Sequence, residues 1–319
     1  MFIKPMFRLA PDTTRFNFMR GRFIGLIVSA VLSIASVVLF FYPGLHLGID
    51  FSGGIVMQVR TEGPADFTKI RSALTEAHIQ VQGVQRFGDD SDVLIRLSTQ
   101  PNEQATQQAV TQVRDALAKA VAGARIMRTD AVGASVSAEL FRNGLLALGI
   151  SLLMILGYIW FRFEWQFAVG AVVTLILDIT KAIGFLAVTR IEFDLVMVAA
   201  ILTVLGYSTN DKVVVYDRVR ENLRKYKTMP LREMIDLSIN ETLNRTLGTS
   251  MTVFLASLPL AVFGSQSISG FATIMLFGIV VGTSSSIFIA APILLFLGEH
   301  RLRRDTAAPV AKDTAADEP

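Results

Sequence analysis

Apolar residues fall into six long runs separated by polar connections. They cover about Phe23–Tyr42, Leu145–Phe161, Phe167–Val188, Leu195–Tyr216, Leu247–Phe263 and Phe271–Leu297. Each approaches the roughly 20 residues that a helix rising 1.5 Å per residue needs to cross a bilayer. The pattern changes in the polar segment Gly44–Leu140. There, alternation and β-branched residues predict strands near Ile55–Arg60, Ile79–Phe87, Val93–Leu97 and Arg125–Thr129. Helices are predicted near Pro64–His78, with Pro64 in the first turn, and Asn102–Val121. The second has a stripe of Ala105, Ala109, Val110, Val113, Ala116 and Leu117 at helical spacing. The order βαββαβ predicts a small α+β, ferredoxin-like domain. That fold implies no activity by itself.

The expected architecture is therefore an α-helical integral membrane protein with six transmembrane helices and a ferredoxin-like domain between the first two. Charge assigns its sides. Lys4, Arg8, Arg15, Arg20 and Arg22 precede the first run. Arg218, Arg220, Arg224, Lys225, Lys227 and Arg232 crowd the connection 217–245, and the last run is followed by His300-Arg301-Leu302-Arg303-Arg304. The positive-inside rule places these stretches in the cytoplasm and segment 44–140 on the periplasmic side. The expected layout is a cytoplasmic segment 1–22, a first helix 23–43, the outer domain 44–140, five helices in 141–298 and a disordered cytoplasmic tail 299–319. The first run is too long for a signal peptide and ends in Phe40-Phe41-Tyr42-Pro43 rather than a small-residue cleavage site, so it reads as an uncleaved helix.

Composition narrows the chemistry. Of 319 residues, 52% are hydrophobic, which excludes an ordinary soluble enzyme. No cysteine is present, so there is no disulfide framework or thiolate site. His46, His78 and His300 are too scattered for a metal cage. No Walker loop or nucleophile–histidine pairing occurs, and the net charge of +3 reads as topology rather than nucleic-acid affinity. The expectation is a non-enzyme without cofactor, driven by an ion gradient or by partners. Moving one charge across a membrane is worth about 2.3 kcal/mol per 100 mV.

Charges at membrane depth are the candidate site, because each costs about 2.5–3.5 kcal/mol to insert. Asp211 lies five residues before Tyr216, so roughly 8 Å of helix separates it from the polar end. Arg245 enters the next run from the same side, at similar depth, and the two could pair. Proton coupling and a buried, packing ion pair are the competing readings. Asp178 and Lys181, three apart, share a helix face and read first as a self-neutralising pair. Lys212 points about 100° away from Asp211 and reads as snorkelling to the interface. In the last run Gly278, Gly282, Ser286 and Ala290 recur every four residues, a close-packing face for a helix of this subunit or of a partner. Within Gly48–Gly54, Gly53 and Gly54 read either as a pivot or as a turn entering a strand.

These residues resemble the SecF family of Sec protein-export subunits, built like half of a resistance-nodulation-division transporter. The resemblance rests on Gly48-Ile49-Asp50-Phe51-Ser52-Gly53-Gly54, Val132-Gly133-Ala134-Ser135-Val136-Ser137-Ala138-Glu139-Leu140, Leu205-Gly206-Tyr207-Ser208-Thr209-Asn210-Asp211, Asp217-Arg218-Val219-Arg220-Glu221-Asn222, Asn244-Arg245-Thr246 and Gly282-Thr283-Ser284-Ser285-Ser286-Ile287-Phe288-Ile289-Ala290. It implies a multi-pass bacterial inner-membrane protein that acts with SecD and the SecYEG translocon on preproteins, with protons as coupling ion. It also implies proton-coupling roles for Asp211 and Arg245; Asp178, Lys181 and Asn210 are secondary candidates from their place in the sequence. The chain departs from the family at Leu177, where a His is common, at Lys181 and Lys212, where uncharged residues are common, and at Ala134 and Ser284. These departures move the expected proton site from Asp178 to Asp211. A small-molecule exporter half and a non-conducting scaffold are the rival expectations.

Overall fold

The computed structural model describes residues 14–121 and 123–298. Lys4, Arg8 and the tail 299–319, which entered the sidedness and disorder expectations, lie outside these residues. A 3₁₀ turn at Phe18–Arg20 leads into α1 (Arg22–Phe41), and the chain then makes a four-residue helix, α2 (Ile49–Ser52). The small domain follows as β1 (Gly54–Arg60), α3 (Phe67–Glu76), β2 (Val81–Phe87), β3 (Asp89–Leu97), α4 (Glu103–Ala120) and β4 (Arg125–Val132). Its strands form one antiparallel sheet in the order β2-β3-β1-β4. Alternation sets its faces. Ile55, Met57 and Val59 of β1 pack with Ile70 and Leu74 of α3 and Val113 and Leu117 of α4, while Val56 and Gln58 face the other way. Asp66 accepts from the amides of Thr68 and Lys69 and so starts α3. Pro64 thus precedes the helix rather than opening it.

Among the described residues the helices α5 (Ala134–Arg162), α6 (Trp165–Thr189), α7 (Leu195–Lys225), α8 (Leu231–Phe263) and α9 (Gln266–Ser285) follow. The last continues through a π-helical turn at Ser286–Ala290 into α10 (Ala291–Gly298). Pro292 lies just beyond that turn; its missing N–H and bulky ring disfavour a regular i→i−4 bond there. Among the described residues, six helices are long and apolar enough to cross a membrane. In α6, α7 and the last span, 50%, 56% and 61% of the apolar window is buried, against 11% in α5 and α8. So α6, α7 and α9 form the centre of the bundle, and α1, α5 and α8 present apolar side chains outward.

Two boundaries differ from the sequence expectation. Helix α5 starts at Ala134, so 134–140 is its first two turns and not part of the small domain. The expected loop 217–245 is mostly helix: α7 runs to Lys225, α8 begins at Leu231, and only 226–230 connects them. Hydropathy marks where a helix becomes polar, whereas its backbone bonds continue into water as long as side chains pack. Here they do. Arg218 pairs with Glu241 at 2.7 Å and Glu221 at 2.6 Å, and Asn222 donates to Glu241 at 2.7 Å and Ser238 at 2.9 Å.

The small-residue face of α9 packs within the chain. A Cβ at Gly278 would collide with the Val204 side chain of α7, and one at Gly282 would lie 3.1 Å from Ser208. Ser286 and Ala290 are fully buried. Close approach of α7 and α9 brings their polar side chains together at membrane depth.

Candidate functional site

Asp211 lies on the inner face of α7, 1% exposed. Its carboxylate accepts from Thr283 Oγ1 of α9 at 3.1 Å. Thr283 shares a hydrogen bond of 2.7 Å with Ser250 of α8, and the Tyr207 hydroxyl donates to Ser250 at 2.9 Å. Three helices thus supply a chain of hydroxyls ending on one carboxylate.

Asp178 of α6 centres a second cluster. Its Oδ2 accepts from Ser285 at 2.7 Å, Ser208 at 2.9 Å and Lys212 Nζ at 3.1 Å. Lys181 Nζ stands 3.6 Å from Oδ1, so the expected i,i+3 pair exists but is shared. Lys212 corrects the snorkelling expectation: it is 0% exposed and donates to Asp178, Ser208 and Ser285. Its turn of about 100° from Asp211 aims it at α6 and α9, where a carboxylate and hydroxyls replace water.

Arg245 is not brought to Asp211. Thr242, Thr246 and Ser250 take the inner face of α8 at four-residue spacing, and Arg245, one position before Thr246, is turned outward and exposed. Among the described residues it makes no ion pair. Asn210 is likewise exposed on α7. The two, with Thr203, Asn244 and Thr249, make an outward polar face at membrane depth.

The Gly48–Gly54 stretch is a turn entering a strand. Gly53 has φ +69° and Gly54 φ +122°, a region that side chains strain to occupy. A Cβ at Gly54 would lie 2.6 Å from the Leu97 carbonyl oxygen. This stretch also fastens the small domain to the α6–α7 connection. Gly48 N–H donates to Phe193 O at 2.9 Å, Phe193 N–H to His46 O at 2.7 Å, and Leu195 N–H to Asp50 Oδ2 at 3.1 Å. Arg96 of β3 pairs with Glu192 and donates to Leu47 O at 3.3 Å. Burial, with the like charges of Asp50 and Glu192, pushes the Asp194 carboxyl above its ordinary value, against the capping amide of Met197. A cleft of about 780 Å³ separates the helix-free sheet face at Val56, Gln58 and Asp130 from Glu192, Asp194 and Gln266.

Sequence reasoning missed Asp50, Arg96, Glu192 and Phe193, and the hydroxyls Ser208, Ser250, Thr283 and Ser285. Phe193 takes part through its backbone and left no signal; for the others it was only polarity inside apolar runs, strands or motifs. Arg96→Ala is expected to loosen the fastening by about 1.5–3 kcal/mol, the range for hydrogen bonds to charged groups, because the Arg96 and Glu192 side chains are only 11% and 23% exposed. Amide hydrogen exchange at 46–48 and 190–194 measures this. Unchanged exchange would show that the backbone bridge alone holds the joint.

No group of histidine and carboxylate side chains suited to a metal occurs among the described residues. The model for the C-terminal region of SecD/SecF protein-export membrane proteins matches residues 112–300, and the SecD/SecF GG-motif model matches 38–65. SecF translocase subunits of Rickettsia felis and Rhodobacter capsulatus are 39% and 40% identical over 304 and 307 residues, covering 95% and 92% of this chain and 98% and 92% of theirs. The chain belongs to the SecF family of protein translocase subunits. Gly53-Gly54 is the one Gly-Gly pair in the matched GG-motif segment. With six membrane-spanning helices, this SecF-family chain is a multi-pass membrane protein. The crystal structure of SecDF, a translocon-associated membrane protein from Thermus thermophilus, superposes with a TM-score of 0.81 at 29% identity over 92% of the chain. A SecDF structure in a super-membrane-facing form gives 0.67 at the same identity over 94%. The SecF-family chain spans 40% of the length of the first of these solved chains.

Proposed function

We propose that this SecF-family subunit acts with a SecD partner and the SecYEG translocon in the bacterial inner membrane, using the proton-motive force to move preproteins outward. Asp211 is the titrating group. The observation that carries this is a carboxylate buried at membrane depth whose hydrogen-bond donor is a hydroxyl, Thr283, at the end of the Tyr207–Ser250–Thr283 chain. Hydroxyls both donate and accept, so such a chain can hand a proton along, which a buried guanidinium could not do. The same helix begins at the joint with the small domain, so a tilt or rotation of α7 would carry the sheet with it.

The small domain is a ferredoxin-like module on the periplasmic side, and both termini are cytoplasmic. The outward face with Asn210 and Arg245 costs energy against lipid and is covered by the SecD subunit. Arg245 therefore acts on the partner's surface rather than as the resting counter-ion of Asp211. No nucleotide, cofactor or nucleic acid takes part, and protons supply the drive.

Asp211→Asn keeps the size and hydrogen-bonding capacity of the side chain and removes its titration. In vesicles holding the partner subunit and translocon, it is expected to abolish the gradient-dependent part of preprotein export while co-purification of the subunits persists. Export that stays gradient-responsive would overturn the coupling role. Loss of assembly would make the chain a scaffold instead.

A further inference from the structure

Two lysines and two aspartates lie together at membrane depth, none more than 6% exposed. Asp178 alone contacts both ammonium groups, Lys212 at 3.1 Å and Lys181 at 3.6 Å. One carboxylate cannot neutralise two cations. With both lysines charged, the cluster carries one excess positive charge while Asp211 is protonated and none when it is ionised. Lys212 is the member tied to both carboxylates: it hydrogen-bonds Asp178, and Ser285, to which it also donates, lies two residues along α9 from Thr283, the donor to Asp211.

We propose that Lys212, not Arg245, is the internal cation of the coupling site, a positioning residue that holds one positive charge between Asp178 and Asp211. This rests on the reading of Asp211 as the titrating group. Ionised Asp211 draws on the Lys212 charge, and protonated Asp211 leaves that charge to Asp178, Ser208 and Ser285. Each proton that enters thereby leaves an uncompensated cation among buried side chains at the centre of the bundle, which is costly. The cost falls on the contact of α6, α7 and α9, the three central helices, because Asp178, Lys212 and Ser285 each come from one of them.

Few charged or titratable groups face the site. From α6 these are Asp178 and Lys181, and from α7 Tyr207 and Lys212. Arg245 of α8 is turned outward, and Tyr158 of α5 is 54% exposed. Helix α9 contributes only hydroxyls.

The test is infrared titration of the full-length protein in lipid vesicles. The protonated-carboxyl stretch of Asp211 is the band that Asp211→Asn removes. Lys212→Gln keeps a donor for Asp178 and Ser285 and removes the charge. It is expected to move the midpoint of that band upward by about one to three pH units, because an opposite charge nearby favours the ionised carboxylate. Lys212→Met is the second variant should the Gln amide disturb packing, with the same expectation. Lys212→Arg keeps the charge and is expected to stay near wild type. Lys181→Met removes an equal charge on α6, held against Asp178 of its own helix, and is expected to move the midpoint less. An unmoved or lowered midpoint in both Lys212→Gln and Lys212→Met overturns the inference, as does an equal shift in Lys181→Met. If Asp211→Asn removes no titrating band, the reading of Asp211 fails and the inference falls with it.

Discussion

Asp178→Asn is expected to destabilise the membrane region by about 3–5 kcal/mol, the range for removing one partner of a buried ion pair. The substitution barely changes volume, so packing is not the cause. It deletes the one negative charge in direct contact with both Lys181 and Lys212, whose side chains are 6% and 0% exposed. It also replaces an acceptor oxygen serving Ser208, Ser285 and Lys212. An amide can still accept one or two of those bonds but cannot offset two ammonium groups. Adding Lys212→Met to Asp178→Asn removes one stranded cation at similar length and is expected to restore much of the loss. Unfolding of the purified protein in mixed detergent, followed by circular dichroism, measures both. A single variant with a wild-type midpoint would show that the Asp178 charge does not hold the cluster.

The second large effect is expected at the joint. Gly54→Val requires a branched side chain at φ +122°, with its Cβ 2.6 Å from the Leu97 carbonyl oxygen. The backbone strain costs roughly 1–3 kcal/mol. Relief of the clash adds a similar amount, because Leu97 pairs with Ile55 in the sheet and cannot retreat without breaking that ladder. The small domain is therefore expected to lose protection in β1 and β3 while the membrane helices keep theirs, read by amide exchange. Gly63→Ala is the control. Nothing lies within 4 Å of a Cβ there, and its φ is not in the strained range, so wild-type protection is expected.

The fold was largely legible because both of its signals are local. A 20-residue apolar run is read in one window, and a strand's period of two survives in Ile55, Met57 and Val59 whatever lies around them. Helix ends were less legible. The starts of α5 and α8 are polar, and only packing such as Arg218 on Glu241 shows that the helix continues. For the site, the sequence picked out Asp178, Lys181, Asp211, Lys212 and Arg245 as charges at membrane depth. It could not pair them, because one residue along a helix turns a side chain by about 100°. That turn aims Lys212 at Asp178 and Arg245 away from Asp211, opposite to the expectation for each.

Sequence alone therefore determined six membrane helices, a βαββαβ domain between the first two, the SecF resemblance and the set of intramembrane charges. Insertion cost and hydrophobic period act residue by residue, so they leave a readable trace. Which charges meet, which hydroxyls join them, and how Arg96, Glu192 and Asp50 tie the sheet to the start of α7 were decided only by tertiary structure. Those contacts depend on the relative rotation of neighbouring helices, set by packing such as Gly278 on Val204, and no single stretch of chain records that rotation.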